Sequence, residues 1–203
     1  MGIAKKGVNG QVIGKVGESV GYMLNGQHVI RSIPNYVKRK PSRLTLINRE
    51  RMKATSVFLH PIKEIIVFGY KDISPKGSRV GPFQAAQSQV FKEAIAFHED
   101  GMPFVDPAKV LVFRGDLTPP QQLSVSRTGN VLNFTWEKVG QSILIIVAYS
   151  EDPIRIKITE PGAPSEAGCF SWEINIDEPV HIYAAFHRLL GSKLSNSVYG
   201  GKV

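Results

Sequence analysis

Between Pro119 and Trp136 the chain alternates side chains in a way that leaves little choice of fold. Leu132, Phe134 and Trp136 interleave with Asn133 and Thr135, the period of a strand with one dry face and one wet face. Leu123 and Val125 give a matching strand before Gly129-Asn130, a dipeptide that tolerates the positive φ of a tight turn. Two antiparallel strands joined here predict a sheet that must bury one face against something else. From Leu117 onward no helical period competes with that pattern. Strands are predicted at 122–127, 131–137, 142–149, 154–159, 168–176, 179–187 and 192–199, with turn residues between them. Seven short strands in residues 116–203 predict an all-β, immunoglobulin-like sandwich of Greek-key type. In the penultimate strand Ile182, Ala184 and Phe186 alternate with His181, Tyr183, Ala185 and His187, so both histidines share a face.

The first 115 residues follow other periods. Short apolar alternations around Asn25-Gly26, itself a strong hairpin signal, predict a small meander of two or three strands over residues 7–33. Residues 34–41 form an extended basic connector bounded by Pro34 and Pro41. Ser42 then offers an N-cap, and Leu44, Ile47, Arg51, Ala54 and Phe58 step by three and four, predicting a helix with that face buried. Pro61 removes a backbone donor and kinks or restarts the helix, which continues to Gly69. Pro82 opens a second helix, with Phe83, Ala86, Val90, Ala94 and Phe97 on its buried face and Gly101 at its end. Residues 104–113 read as strand, broken by Asp106-Pro107. The prediction is an α+β unit over 1–115, its two helices lying on the small antiparallel sheet, followed by the sandwich over 116–203.

Charge separates the two parts. The net charge is +8, yet residues 1–60 hold eleven lysines and arginines against only Glu18 and Glu50. The rest of the chain is close to neutral. That asymmetry favours an anionic partner for the N-terminal part. The candidate residues are Tyr36, Lys38, Arg39, Lys40, Arg43, Arg49 and Lys53, cations beside a tyrosine that could meet phosphates and stack on a base.

Other chemistry finds few carriers. With Cys169 alone, no internal disulfide and no multi-cysteine metal site can form. His181 and His187 lie about 20 Å apart at strand rise, too far to share an ion. His98-Glu99-Asp100 sits at a helix end, where three adjacent side chains do not converge as a His-x-x-x-His pair does. Glu151-Asp152 and Asp177-Glu178 fall at turns and read as solvated tips. Gly-x-Ser-x-Gly and His-Glu-x-x-His are absent. No catalytic residue, cofactor or metal is therefore expected. No apolar run reaches the ~18 residues of a membrane span, and residues 1–7 lack the apolar core of a signal peptide, so a cytoplasmic chain, or one exported by another route or in a mobile-element assembly, is expected.

Two resemblances rest on quoted residues. Pro119-Pro120 with Leu123 and Val125, then Leu132, Phe134 and Trp136, resembles the opening of a fibronectin type III domain. Residues 182–197, turning at Arg188-Leu189-Leu190-Gly191-Ser192, are similar to that family's last hairpin, with Val180 where the family usually has a tyrosine. The whole chain also resembles a family of uncharacterised proteins from Bacteroidetes-type bacteria. That likeness rests on Gly14-Lys15-Val16-Gly17, on Val29-Ile30-Arg31-Ser32-Ile33-Pro34, on Phe83-Gln84-Ala85-Ala86 and on Ser195-Asn196-Ser197-Val198-Tyr199. The resemblance implies no activity. The expected role is a non-catalytic structural or protein-interaction protein that binds another protein or itself. The alternatives are nonspecific nucleic-acid binding through the basic segment and a glycan-associated accessory protein or enzyme.

Overall fold

The structure is a computed structural model describing residues 3–4, 10–24, 26–35, 40–73, 80–151, 154–159, 162–188 and 190–203. It is a mixed fold of three helices and several antiparallel sheets, mostly β. Four strands come first: β1 (Ile3–Ala4), β2 (Val12–Val16), β3 (Ser19–Leu24) and β4 (Gln27–Ser32), paired in that order, one more strand than the largest meander predicted. Strands β3 and β4 are separated by Asn25 and Gly26, and Gly26 takes φ +82°. The sheet curls tightly: a Cβ at Gly21 would lie 2.0 Å from the Val12 carbonyl oxygen, which also accepts from His28 Nε2 at 2.7 Å if that nitrogen carries the proton.

Helix α1 (Arg43–Leu59) begins where Ser42 Oγ accepts from the Thr45 amide at 3.3 Å, the cap its sequence predicts. Pro61 separates it from α2 (Lys63–Gly69), which ends against the chain at Val112. Gly69 is required there, because a Cβ would sit 2.4 Å from the Val112 carbonyl oxygen. Helix α3 (Pro82–Glu93) is preorganised by its first proline. Its predicted continuation through Phe97 is corrected by β5 (Ile95–Phe97), which pairs with β6 (Pro103–Val105). The Ala94 carbonyl accepts the Asp106 amide at 2.8 Å, so the chain leaves the helix to close a hairpin around Gly101. There are thus three helices where two were expected. A 3-10 turn follows at Pro107–Lys109, and residues 110–113, predicted as strand, belong to no sheet, the chain bending at Val112 and Phe113.

The remaining strands are β7 (Ser124–Thr128), β8 (Val131–Thr135), β9 (Ile143–Glu151), β10 (Ile154–Ile158), β11 (Ala163–Pro164), β12 (Cys169–Glu173), β13 (His181–Arg188), β14 (Lys193–Leu194) and β15 (Val198–Lys202). The last predicted strand is split in two because Ser195 and Ser197 turn inward as buried hydrogen-bond partners. One sheet runs β12-β8-β7. A six-stranded sheet centres on β9 and β13, with β10 and β11 on β9 and with β14 and β15 on β13.

Strands β9 and β13 register from His181 opposite Tyr149 to His187 opposite Ile143, and apolar layers cover both their faces. On one side Leu144, Ile146, Ala148, Ile182, Ala184 and Phe186 meet Leu132, Phe134 and Trp136 of the three-stranded sheet. On the other, Ile145, Val147, Tyr149, Tyr183 and Ala185 meet Phe58, Leu59, Ile62, Ile66, Phe83 and Val90 of the helices. At roughly 1.5–3 kcal/mol for each large side chain buried, these layers dominate the stabilisation. The helices were expected to lie on the N-terminal sheet. They pack on β9 and β13 instead, and among the described residues β2–β4 contributes nothing to either layer. The first turn of α1 overhangs the body: Leu44, predicted buried, is 71% exposed.

Few polar groups enter the interior, and several of them are paired, although Gln89 Oε1 and His187 Nε2 are buried without a hydrogen-bond partner. Ser197 Oγ accepts from the amides of Val112 at 2.9 Å and Phe113 at 3.4 Å, tying the end of the helical region to the approach to β15. Arg127 donates to the carbonyls of Gly129, Glu178, Ile176 and Val203, gathering three chain segments with one guanidinium. Ser197→Ala leaves two buried amides without their acceptor and is expected to lower stability by about 1–3 kcal/mol in urea unfolding. Ser126→Ala, on the exposed side of β7, is expected to change it by less than ~0.5 kcal/mol.

Candidate functional site

Of the seven candidate residues for an anionic partner, Tyr36, Lys38 and Arg39 lie outside the described residues. Lys40 is exposed just before α1, and Arg43, Arg49 and Lys53 are exposed along it. At 3.6 residues per turn, Arg49 and Lys53 stand one turn apart on the outward side, opposite the buried Thr55, Phe58 and Leu59. Arg51 has a structural role: its guanidinium lies 4.2 Å from the centre of the Phe91 ring and donates to the Phe91 carbonyl at 2.9 Å.

A cleft of about 610 Å³ opens beside this helix. Glu50, Lys53, Ala54, Val57 and Phe58 of α1 form one wall. His98, Met102 and Phe104 of the β5–β6 hairpin form the second, and Tyr149, Glu151 and Ile154 of β9 and β10 the third. The hairpin wall is set by His98 stacking on Phe104 at 4.2 Å, and the floor by the edge-on contact of Phe58 with Tyr149 at 5.5 Å. The sequence places Glu151 at a turn and His98 at a helix end; the structure brings both to one opening with Glu50 and Lys53.

Behind Glu151 lies a polar chain that the sequence does not reveal. Buried His181 contacts Tyr199 Oη through Nδ1 at 2.8 Å and Glu151 Oε1 through Nε2 at 3.8 Å. With the tyrosine hydroxyl donating to Nδ1, the proton of neutral His181 sits on Nε2 and faces the carboxylate. Burial pushes the His181 pKa down, and Lys202 adds to this while Glu151 opposes it. Burial, with Glu151 nearby, raises the Tyr149 hydroxyl to about 12. A neutral imidazole orients Glu151 without cancelling its charge, so the cleft presents a carboxylate suited to a cation or a hydrogen-bond donor. The strand alternation in β13 signals which face His181 occupies; its meeting with Glu151 and Tyr199 depends on strand register, which is nonlocal.

His187 is on the same face of β13, with its ring 5.7 Å from that of Phe68. Its pKa is lowered by burial and then by Lys71, with Asp72 acting in the opposite sense. Cys169 is exposed on the edge strand β12, while Phe170 and Trp172 turn inward, as the alternation predicts. Among the described residues no three His, Cys, Asp or Glu side chains gather in a form that could hold a metal ion, and no helix is long and apolar enough to cross a membrane.

Both histidines titrate below the ordinary value of 6.5 in the folded chain, so between the folded and unfolded pKa values the unfolded chain binds more protons. Their contribution is complete above about pH 6.5 and falls as the pH drops toward the folded values, by up to ~1.4 kcal/mol per pH unit for each group. Urea unfolding of wild type between pH 5 and 7.5 is expected to show this loss. The slope is expected to be shallower in His181→Gln, whatever that variant's absolute stability.

No curated protein matches the chain. A family model described as a family of unknown function matches residues 9–201, most of the chain on both sides of the cleft. The chain therefore belongs to this family of unknown function, DUF6266.

Proposed function

We propose that the chain is a non-catalytic interaction protein whose N-terminal sheet docks onto another protein, with the C-terminal strands serving as a fibronectin III-like sandwich that spaces and supports it. One observation carries the docking reading. Among the described residues β2–β4 supplies no side chain to either buried layer, while Val16, Met23 and Ile30 stand in solvent, Val16 at 51% and Ile30 at 58% exposure. A small sheet of this kind is marginal alone and gains stability when a face is covered. Lys15 and Arg31, at the alternate positions of the same strands, are exposed on the opposite face, so an apolar protein surface is the complement of the face that carries Val16, Met23 and Ile30. The sandwich reading is supported by the order of the strands. The chain enters the three-stranded sheet with β7 and β8, crosses to the larger sheet with β9 and β10, returns with β12 and crosses again with β13, as Greek-key sandwiches do.

A second reading, nonspecific nucleic-acid binding, is favoured by the shared exposure of Lys40, Arg43, Arg49 and Lys53. Against it, Glu50 and the apolar Leu46 and Val57 interrupt the same stretch, which a phosphate-tracking surface does not need.

The joint substitution Val16→Asp and Ile30→Asp tests the docking reading. Stability is expected to change by less than ~0.5 kcal/mol, because neither side chain is in a buried layer, while a partner captured by wild type from the native host is no longer retained. Retention by the double variant would overturn the reading. Titration with duplex and single-stranded DNA at about 50 mM salt separates the alternative. Salt-sensitive binding that falls when Lys40, Arg43, Arg49 and Lys53 become alanine would support it, and no binding would exclude it.

A further inference from the structure

The outward face of α1, whose Glu50, Lys53 and Val57 also wall the cleft, carries a pattern that packing within the chain does not explain. Leu46, Glu50, Lys53 and Val57 follow one another at spacings of four, three and four, so they form a single stripe along the helix. That stripe points away from the buried Thr55, Phe58 and Leu59. All four side chains are exposed, Leu46 at 49% and Val57 at 67%. Glu50 and Lys53 have no ion pair among the described residues. The spacing is that of a seam between paired helices, and a seam holding two apolar and two charged positions selects its partner by charge.

The order apolar, acidic, basic, apolar is self-complementary only in one sense. It is symmetric about the point between Arg51 and Met52. When a second identical helix is laid antiparallel across that point, Glu50 meets Lys53 of the second copy, Lys53 meets its Glu50, and Leu46 and Val57 meet each other at both ends. In a parallel arrangement Glu50 would face Glu50 and Lys53 would face Lys53, and like charges oppose that pairing. Steric access exists: the cleft lies along this side of α1, and Met102 and Ile154, both exposed, border the space beside Val57.

We infer that two copies of this chain associate about a two-fold axis through antiparallel pairing of their α1 helices, with Leu46, Glu50, Lys53 and Val57 as the contact. The interface is isologous, so it closes at a dimer. Its area is that of one helix pair, which places it among weak, reversible contacts with Kd on the order of 10–100 µM. It uses a surface separate from β1–β4 and extends the interaction reading to self-association.

Sedimentation velocity on the full chain across a concentration series tests it. Wild type is expected to show a monomer–dimer equilibrium. Glu50→Lys and Lys53→Glu, each alone, place like charges across the seam and are expected to weaken association at least ~tenfold. An equimolar mixture of the two variants restores opposite charges at both positions, and so does the doubly exchanged chain; both are expected to dimerise again. Because both side chains are exposed, unchanged circular dichroism shows that the variants fold. Wild type that remains monomeric, single variants that associate like wild type, or a mixture that fails to associate would each overturn the pairing. Those results leave the docking of β1–β4 to its own test, since Val16 and Ile30 are unaltered in every variant.

Discussion

The antiparallel pairing of β9 with β13 is the constraint on which the rest of the structure depends. Residues 144–150 of β9 and 181–186 of β13 are all buried, so these two strands have no wet face. A sheet in that position must be covered twice, once by β7, β8 and β12 and once by the helices. The helices are therefore held by the sheet that follows them in sequence. One apolar layer joins Phe58, Ile66 and Val90, from before position 115, to Tyr149 and Tyr183, from after it. Two polar groups at this layer are satisfied from across the same divide: Tyr183 Oη donates to the Pro107 carbonyl at 2.9 Å, and the Val112 amide donates to Ser197 Oγ. Such groups cost most when left unpaired in a dry interior, so they fix how the helical and strand regions meet.

What was legible in the sequence is what a single element decides for itself. The alternation of Leu132, Phe134 and Trp136, the inward Ile182, Ala184 and Phe186, the Ser42 cap and the break at Pro61 are local, and each is found in the structure. Contacts set by distant parts of the chain were not legible. Ile95 to Phe97 continues the spacing of α3 equally well as helix, and only pairing with β6 makes it strand. Leu44 continues the stripe of α1, yet no neighbour reaches the overhanging first turn to cover it. Glu151 looks like a turn residue because Asp152-Pro153 follows it. Its place beside His181 comes from the register of three strands, which no local period encodes.

The distribution of exposed apolar side chains follows from the same architecture. A face of β9 or β13 left open would cost a large share of the net stability, so the helices that cover it are bound to the body. Among the described residues β2–β4 adds nothing to either layer, and Val16 and Ile30 stay outward. Part of the excess positive charge, Lys15 and Arg31 of this sheet and Arg43, Arg49, Arg51 and Lys53 of α1, falls where exposed apolar groups also gather. That combination is typical of a protein interface with a polar rim. A surface built only to bind phosphates would have little use for Leu46 and Val57.

The alternation of Glu50 and Lys53 between those two apolar residues bears on specificity more than on strength. Exposed ion pairs contribute little to affinity, typically ~0–1 kcal/mol. Two more apolar residues at those positions would bind harder, but in either orientation and to any apolar helix. Opposite charges in the seam give up some of that attraction and exclude the parallel alignment, because in that alignment each charge meets its own kind. The helix can then remain soluble while it is exposed and still discriminate among apolar helices, which is what a reversible contact requires of a face that spends part of its time in water.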